Sequence, residues 1–446
     1  MLNEATLQYV LQHAHDDIRM LALRGCKDAQ VNLPLALQQI QGRQTARHKL
    51  PSWAAIDGIV YPPHLNMEQC SSELTACYKR GIADRILSLG VAQIVNRKSS
   101  NSKFLDVTGG FGVDFAFMAD AFDEAVYVER DPDLCALAAH NLAHLGKKNV
   151  STICADAVSY LSSISSDNFA LIYLDPARRD MHGARTYALA DCTPDVTTMM
   201  DDLLRHSHYV LLKLSPMLDW RKAIADLSPH HVQEVHIVAV DNECKELLLL
   251  LARQDTNSQH FQSSIFNLQF STAPCLFCTD IHSRNGFHTE YCPSSQSLLI
   301  EEIIQPSTRP KDVCVTRTLN SQLSILNFLY EPNVAVMKAG CFRELAADFN
   351  VRQLAPNSHL FTSATQVTSF PGRSFRITAI TTMNKRDLRT KLGHLQRANI
   401  SVRNFPLTAD ELRRRLKLAD GGTDYIFATT LSNGDHVVIL CTKLSS

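Results

Sequence analysis

The chain has 446 residues, 45% hydrophobic and 20% charged, with 44 lysines and arginines against 45 aspartates and glutamates. That is enough for two to four domains with sizeable cores, and a net charge of −1 does not by itself advertise nucleic-acid binding. No stretch reaches the ~20 apolar residues of a membrane span, residues 2–20 hold no long apolar run of a secretory signal, and the 13 cysteines form no framework, so a cytoplasmic protein is expected.

Residues 1–80 read as helical, with Leu7, Val10 and Leu11, then Leu33, Leu35 and Leu37, at helical spacing. Leu50-Pro51 and Tyr61-Pro62-Pro63 break the region. Ser71 suits an N-cap, with Glu73 in the first turn where the helix dipole favours negative charge.

An α/β core is expected over 81–255. The apolar Phe104-Leu105 runs into Asp106-Val-Thr-Gly-Gly-Phe-Gly-Val-Asp-Phe115, followed by a helical pattern. Strand, glycine-rich turn and helix open a nucleotide-binding unit, and Gly110 and Gly112 permit close approach of a ligand to the backbone. The spacing is Asp-x-x-x-Gly-x-Gly, not the Gly-x-Gly-x-x-Gly of dinucleotide sites. The acid suits a ligand with an amino group, such as the methionine end of S-adenosylmethionine. Asp106, Thr108, Gly109, Gly110, Phe111, Gly112 and Asp114 are the candidate contacts in this turn.

Glu129 ends a second strand 23 residues after Asp106, where a ribose diol finds its acceptor. Asp131-Pro132 starts a helix with Leu134, Leu137, Ala138 and Leu142 on one face. Asp156, followed by Ala157, ends a third strand and could accept from an adenine amine. A fourth strand, Phe169 to Leu174, leads into Asp175-Pro176-Ala177-Arg178-Arg179-Asp180, at the strand end where open α/β sheets carry out their chemistry. Arg178 and Arg179 either stack on or hold a substrate, or pair with Asp175 and Asp180. Lys213 ends the fifth strand and either meets a phosphate or caps the sheet. Residues 232–240 and 246–251 are spaced to pair as antiparallel strands at one sheet edge.

Residues 256–330 are polar and Ser/Thr-rich, a small α+β insert, and 331–446 form a C-terminal module. There Thr408-Ala-Asp-Glu411 reads as a capping box and Asn433-Gly434 as a hairpin turn. Residues 384–417 hold ten basic and three acidic side chains, a net of +7 that includes Arg403, Arg413 and Arg414. Such a patch is the expected footprint of phosphate contacts, although Leu412 and Leu416 also suit an ordinary helix whose arginines border a buried stripe. Arg43, Arg47, His48 and Lys49, near Trp53, make a second basic run. Cys275 and Cys278, with His282, His288 and Cys292 nearby, fit a strand with buried thiols better than zinc, and no metal is expected.

The Asp106–Gly112 turn, Glu129, Asp156 and Asp175-Pro176 together resemble a class I S-adenosylmethionine-dependent methyltransferase, which implies a Rossmann-like sheet and that cofactor. In that superfamily, Asp/Asn-Pro-Pro-aromatic marks nitrogen methylation. Here Ala177 and Arg178 replace the second proline and the aromatic. The 68–79 segment is similar to the one preceding the core of trimethylguanosine-synthase-like RNA methyltransferases. With Leu50-Pro-Ser-Trp53, Tyr330-Glu-Pro332, Phe370-Pro-Gly-Arg373 and Val402-Arg-Asn-Phe-Pro406, the chain resembles the Bacteroidetes-type bacterial methyltransferases that carry a C-terminal THUMP-like domain. The resemblance implies a ferredoxin-like α+β insert over 256–330, a THUMP-like RNA-binding module over 331–446, and methyl transfer to a base nitrogen of tRNA or rRNA. Asp175, Pro176 and Arg178 would be catalytic. Arg179, Lys213, Arg373, Arg403, Arg413 and Arg414 would meet the substrate. Two rivals are a methyltransferase for a protein or small molecule, and a non-catalytic RNA-binding protein that kept the fold.

Overall fold

The computed structural model describes residues 2–93, 102–164, 169–178, 189–253, 274–286, 288–294 and 326–444. They divide into two compact units, Met1–Glu234 with Glu246–Phe270, and Val235–Lys245 with Ser271–Ser446.

The first unit opens with α1 (Glu4–Gln12), α2 (Ile18–Arg24), α3 (Leu33–Lys49), α4 (Pro51–Ala54), α5 (His64–Gln69) and α6 (Glu73–Gln93). Asn3, Asp17 and Asn32 cap the first three, each side-chain oxygen accepting from a backbone N–H of the first turn. Val10, Leu21, Ala36 and Ile40 form a small core among them. The expected break at Leu50-Pro51 separates α3 from α4, but α6 continues beyond the expected boundary at residue 80.

The core follows as β1 (Lys103–Asp106), α7 (Val113–Met118), β2 (Glu124–Glu129), α8 (Pro132–His144), β3 (Val150–Cys154), α9 (Ala157–Ser163) and β4 (Phe169–Leu174). Then come β5 (Ala177–Arg178), β6 (Cys192–Thr193), α10 (Val196–His206), β7 (Ser207–Leu214), α11 (Trp220–Asp226), β8 (Val232–Val240) and β9 (Glu243–Ala252). Within this unit the sheet runs β9-β7-β4-β1-β2-β3. All neighbours are parallel except β9, which lies antiparallel to β7. Strands buried on both faces read as apolar runs, as Phe169–Leu174 and Leu247–Leu251 do. The chain builds outward from β1 to β2 and β3, then returns to β4. The order therefore reverses between β1 and β4, the position at which such sheets bind ligands. Asp106 pairs in register with Tyr173, so Asp175 emerges just beyond the end of β1.

The second unit has β10 (Cys275–Ile281) between β8 and β11 (His288–Tyr291), and then a separate sheet. That sheet is built from β12 (Phe328–Pro332), β13 (Arg352–Gln353), β14 (Phe361–Ser363), β15 (Gly372–Thr382), β16 (Asn399–Arg403), β17 (Asp424–Thr430) and β18 (His436–Lys443). Its order is β13-β14-β12-β15-β18-β17-β16, with only β16 and β17 parallel. The helices are α12 (Val334–Ala339), α13 (Phe342–Asp348), α14 (Lys385–Leu392) and α15 (Ala409–Leu416). Alternate residues divide the two faces. Ile426, Ala428, Val438 and Leu440 pack under Leu388 and Leu392 of α14 and Leu412 of α15, while Phe427, Val437, Ile439 and Cys441 join the opposite core. Asn433-Gly434 makes the expected hairpin turn between β17 and β18, with Gly434 at φ 87°. Among the described residues no helix is long and apolar enough to cross a membrane.

Candidate active site

Asp106, at the end of β1, is buried, and its Oδ1 accepts from the Thr108 N–H at 2.9 Å, which folds the turn back on itself. Desolvation holds its carboxyl well above the ordinary carboxylate range. Gly109 lies against Tyr127, where a Cβ would come within 2.1 Å of the ring, and the Tyr127 hydroxyl donates to the Gly110 carbonyl at 2.6 Å. Gly110 (φ 55°) and Gly112 (φ 84°) take left-handed conformations, and a Cβ on Gly110 would meet nothing nearer than 3.8 Å. The turn is thus propped from beneath and open above Gly110.

Glu129 accepts from the Gly110 N–H at 2.8 Å and from the Asp131 N–H at 2.9 Å, so β2 is tied to the turn. Asp156 caps α9 through Oδ1 and remains exposed, and Ala157 behind it is buried. Asp106, Glu129 and Asp156 therefore follow one another along the carboxyl ends of three adjacent parallel strands. Open space over a left-handed glycine, flanked by acids, fits a cofactor with a ribose diol and amino groups. Phe111 faces the other way, packing edge-on against Trp53 of α4 with ring centroids 5.1 Å apart. Asn141 of α8 clasps Val60 through both its amide oxygen and its amide nitrogen. The segment after α3 is thereby fastened to the turn and to α8.

A charged network fills the interior beside the turn. Lys79 of α6 has no exposed surface and lies 3.1 Å from Asp114 Oδ1 and 2.5 Å from Glu246 Oε2. Ser71 Oγ lies 2.7 Å from Asp114 Oδ2 and 3.1 Å from Glu246 Oε1, and accepts from Lys79 and Lys213. The Tyr173 hydroxyl donates to Asp114 Oδ2 at 2.7 Å. Desolvation disfavours the Asp114 charge, but Lys79, Lys213 and the two hydroxyls outweigh it and hold its carboxyl below the usual range. At the outer end Lys213 Nζ donates to Asp175 Oδ2 at 2.7 Å, and the Asp175 N–H donates to Thr108 Oγ1 at 2.7 Å. Asp175 keeps 38% of its side chain exposed, whereas Lys213 is buried.

This geometry revises several expectations. Asp114 points into the network, away from the open side of the turn. Ser71 is not the N-cap of α6: Ser72 accepts from the Thr75 N–H, because the Ser71 hydroxyl is claimed by Asp114 and the lysines. Glu73 does lie in the first turn of α6, as expected, and it also accepts from the Ser52 N–H and hydroxyl. Lys213 is an interior ion-pair partner whose side chain is only 11% exposed and whose ammonium is taken by Asp175 and Ser71, so it is poorly placed for a phosphate. Pro176 is buried and the Arg178 backbone pairs with Cys192, while Arg179 and Asp180 lie outside the described residues. Lys79, Tyr173 and Glu246 were not singled out. A carboxylate opening the run Leu247–Leu251 was the available signal, since a buried strand tolerates charge only beside a partner.

In the second unit, eight of the ten basic residues in 384–417 are exposed; Arg403 and Arg413 are half-buried. Arg403 and Arg373 share the buried Glu331, and Arg413 binds Asp410 and Asp420. Arg414 and Arg415 on α15, and Lys385, Arg386 and Arg389 on α14, are exposed above the shared core. Cys278 is buried in β10, and among the described residues no three His, Cys, Asp or Glu side chains are grouped to hold a metal ion. The 256–330 stretch lies mostly outside the described residues.

Comparison with known proteins agrees with this architecture. A profile described as a ferredoxin-like domain matches residues 328–371, almost wholly beyond the 256–330 stretch where that module was expected, and one described as THUMP domain-like matches 372–443. A crystal structure from Porphyromonas gingivalis W83, described as a candidate methyltransferase, superposes over 100% of both chains with a TM-score of 0.75 at 28% identity. Ribosomal RNA small subunit methyltransferase J of Legionella pneumophila strain Philadelphia 1 is 30% identical over 176 residues, 38% of this chain. The match spans 65% of that protein, just under two thirds of its length. An uncharacterized S-adenosylmethionine-dependent methyltransferase of Mycobacterium tuberculosis is 24% identical over 315 residues, 70% of this chain and 73% of the relative.

Proposed function

We propose that this chain, an S-adenosylmethionine-dependent methyltransferase core joined to ferredoxin-like and THUMP-like domains, methylates a base nitrogen of tRNA or rRNA in the cytoplasm. The observation that carries the reading is Asp175. It leaves β4 beside the point where strand order reverses, hydrogen-bonded to the glycine-rich turn and with part of its carboxylate open. The cofactor, when bound, supplies a methyl group made electrophilic by its sulfonium. Glu129 would hold the ribose hydroxyls and Asp156 the adenine amine, while Gly110 lets the backbone come close. Asp175 would accept a hydrogen bond from the target N–H and orient the nitrogen lone pair. Transfer would form the N–C bond as the S–C bond breaks, with the proton on the nitrogen leaving afterwards to solvent, so what this chain would supply is alignment of the nitrogen lone pair and exclusion of water during attack. No nucleophilic Cys–His or Ser–His arrangement is required.

RNA as the acceptor is supported by the exposed basic side chains on α14 and α15, whose burial would have favoured the small-molecule rival, and by the ribosomal RNA substrate named for the Legionella relative. The test is incubation with methyl-labelled S-adenosylmethionine and bacterial tRNA and rRNA fractions from a strain lacking the gene. Label in one fraction is expected. Label in neither, with cofactor still bound, would move the acceptor to a protein or small molecule. In the same assay Asp175→Ala should abolish transfer and change cofactor affinity only modestly; a fully active variant would refute the role of Asp175.

A further inference from the structure

We infer that Lys213 is a positioning residue for the transfer step, gripping one oxygen of Asp175 and linking that carboxylate through Ser71 to the entrance of α6. The inference rests on the methyltransferase reading and deepens it. A lysine at the end of β7 could serve a substrate phosphate only if its ammonium reached solvent. Instead its protons are committed to Asp175 Oδ2 at 2.7 Å and Ser71 Oγ at 3.1 Å, with Asp114 Oδ2 at 3.7 Å. Ser71 has one proton to give, and Asp114 Oδ2 at 2.7 Å is the nearer carboxylate. Its oxygen accepts from both Lys79 and Lys213, so the hydroxyl joins α6, α7 and β7 at one point. With Oδ2 held by Lys213 and the backbone N–H held by Thr108, Asp175 is tethered at both its main chain and its side chain. Oδ1 is then presented in one orientation to a target amine.

The charges around Asp175 make that grip consequential. Asp114 on α7, Glu246 on β9 and Asp106 on β1 repel its negative form, and the Tyr173 hydroxyl on β4 lies in the same cluster. Lys79 on α6 neutralises Asp114 and Glu246 first. Desolvation pushes the Asp175 carboxyl above its ordinary range, a shift limited by its open surface, and Lys213 is the principal opposing charge. An Asp that must be ionised to accept from an N–H gives a rate that falls as pH drops through its pKa. Removing Lys213 raises that pKa, so the acidic limb must move to higher pH.

The experiment is the pH profile of kcat for the full chain and its variants on the RNA fraction that takes label. Lys213→Met should shift the acidic limb upward by at least one pH unit, with cofactor KM within about twofold of wild type. Lys213→Arg should leave the limb near its wild-type position while lowering kcat, because charge is restored and geometry is not. A Lys213→Met limb that stays in place overturns the inference. If that variant does not fold, Ser71→Ala, which removes no charge, should lower kcat about tenfold at unchanged cofactor KM; unchanged kcat overturns it equally. If wild type labels no RNA, the functional reading falls on its own. The Lys213 assignment is then decided by infrared titration of the Asp175 carboxyl, assigned with Asp175→Asn, in wild type against Lys213→Met. A pKa the same in both would sink it.

Discussion

Lys79 and Arg415 are both cations on helices, one in each unit, and they could hardly be used more differently. Lys79 has no exposed surface and its ammonium is committed to Asp114 and Glu246. Arg415 is exposed on α15, within a cluster of basic neighbours. Desolvating an ion costs several kcal/mol and is tolerable only when a counter-charge is within reach, and in the interior of the first unit Lys79 and Lys213 are each matched to named carboxylates. Solvated charges on a surface cost little and act collectively through their summed field. The first unit should therefore be sensitive to single substitutions, and the second to their number.

The largest effect follows for Lys79→Met. It leaves two carboxylates in the interior with only Lys213 to share, and should cost about 3–5 kcal/mol of stability at neutral pH. Denaturant melts at fixed pH measure this, and a loss below about 1 kcal/mol would break the comparison. The pH dependence has a definite sign. Folding holds Asp114 below its ordinary pKa, so the stability it contributes is present above the unfolded value of ~3.9 and disappears as pH falls through the folded one. The gap between wild type and variant should therefore narrow in acid.

For the second unit the sharpest test is additive. Each phosphate contact removed lowers the slope of log affinity against log salt by about 0.7–0.9. Changing Arg386, Arg389, Arg414 and Arg415 together to Gln should flatten the slope for RNA by about 3–3.5 if those residues meet the backbone. Each single change should lower it by less than one unit. Stability should move by no more than about 0.5 kcal/mol per site, since each is exposed. A single arginine accounting for the whole effect would mean a specific contact and collapse the distinction between the units.

What could be read from the sequence tracks the same division. The turn from Asp106 to Gly112 was legible because left-handed backbone and close approach demand glycine, and the capping box at Thr408 because it spans four residues. Glu129 was legible because a strand end followed by Asp-Pro fixes where β2 stops. The interior network was not. Adjacent Ser71 and Ser72 are locally equivalent as caps, and the choice between them is made by Asp114 and Glu246, 43 and 175 residues away. Lys213 could be read as a phosphate ligand or a sheet cap because its partner Asp175 lies 38 residues away, in the loop after β4. Charge patterning along the chain showed the basic surface of α14 and α15, but not that Arg373 and Arg403 share Glu331 across strands.

The smallest expected effect sits where local and collective logic meet. Thr408 Oγ1 accepts from the Glu411 N–H at 3.3 Å, and Glu411 returns a bond to the Thr408 N–H at 2.8 Å. Thr408→Ala should cost about 1 kcal/mol, the usual worth of such a cap, with α15 still anchored by Leu412 in the core and by Arg413 on Asp410 and Asp420. Because the helix stays docked, Arg414 and Arg415 keep their places and RNA affinity should change by less than about twofold. Thermal melts and salt-dependent binding on the same variant separate the two terms. A stability loss near 1 kcal/mol with an unchanged salt slope fits a surface that works by summed charge. A changed slope would mean instead that the arginines depend on the fine placement of α15, as the buried lysines depend on theirs.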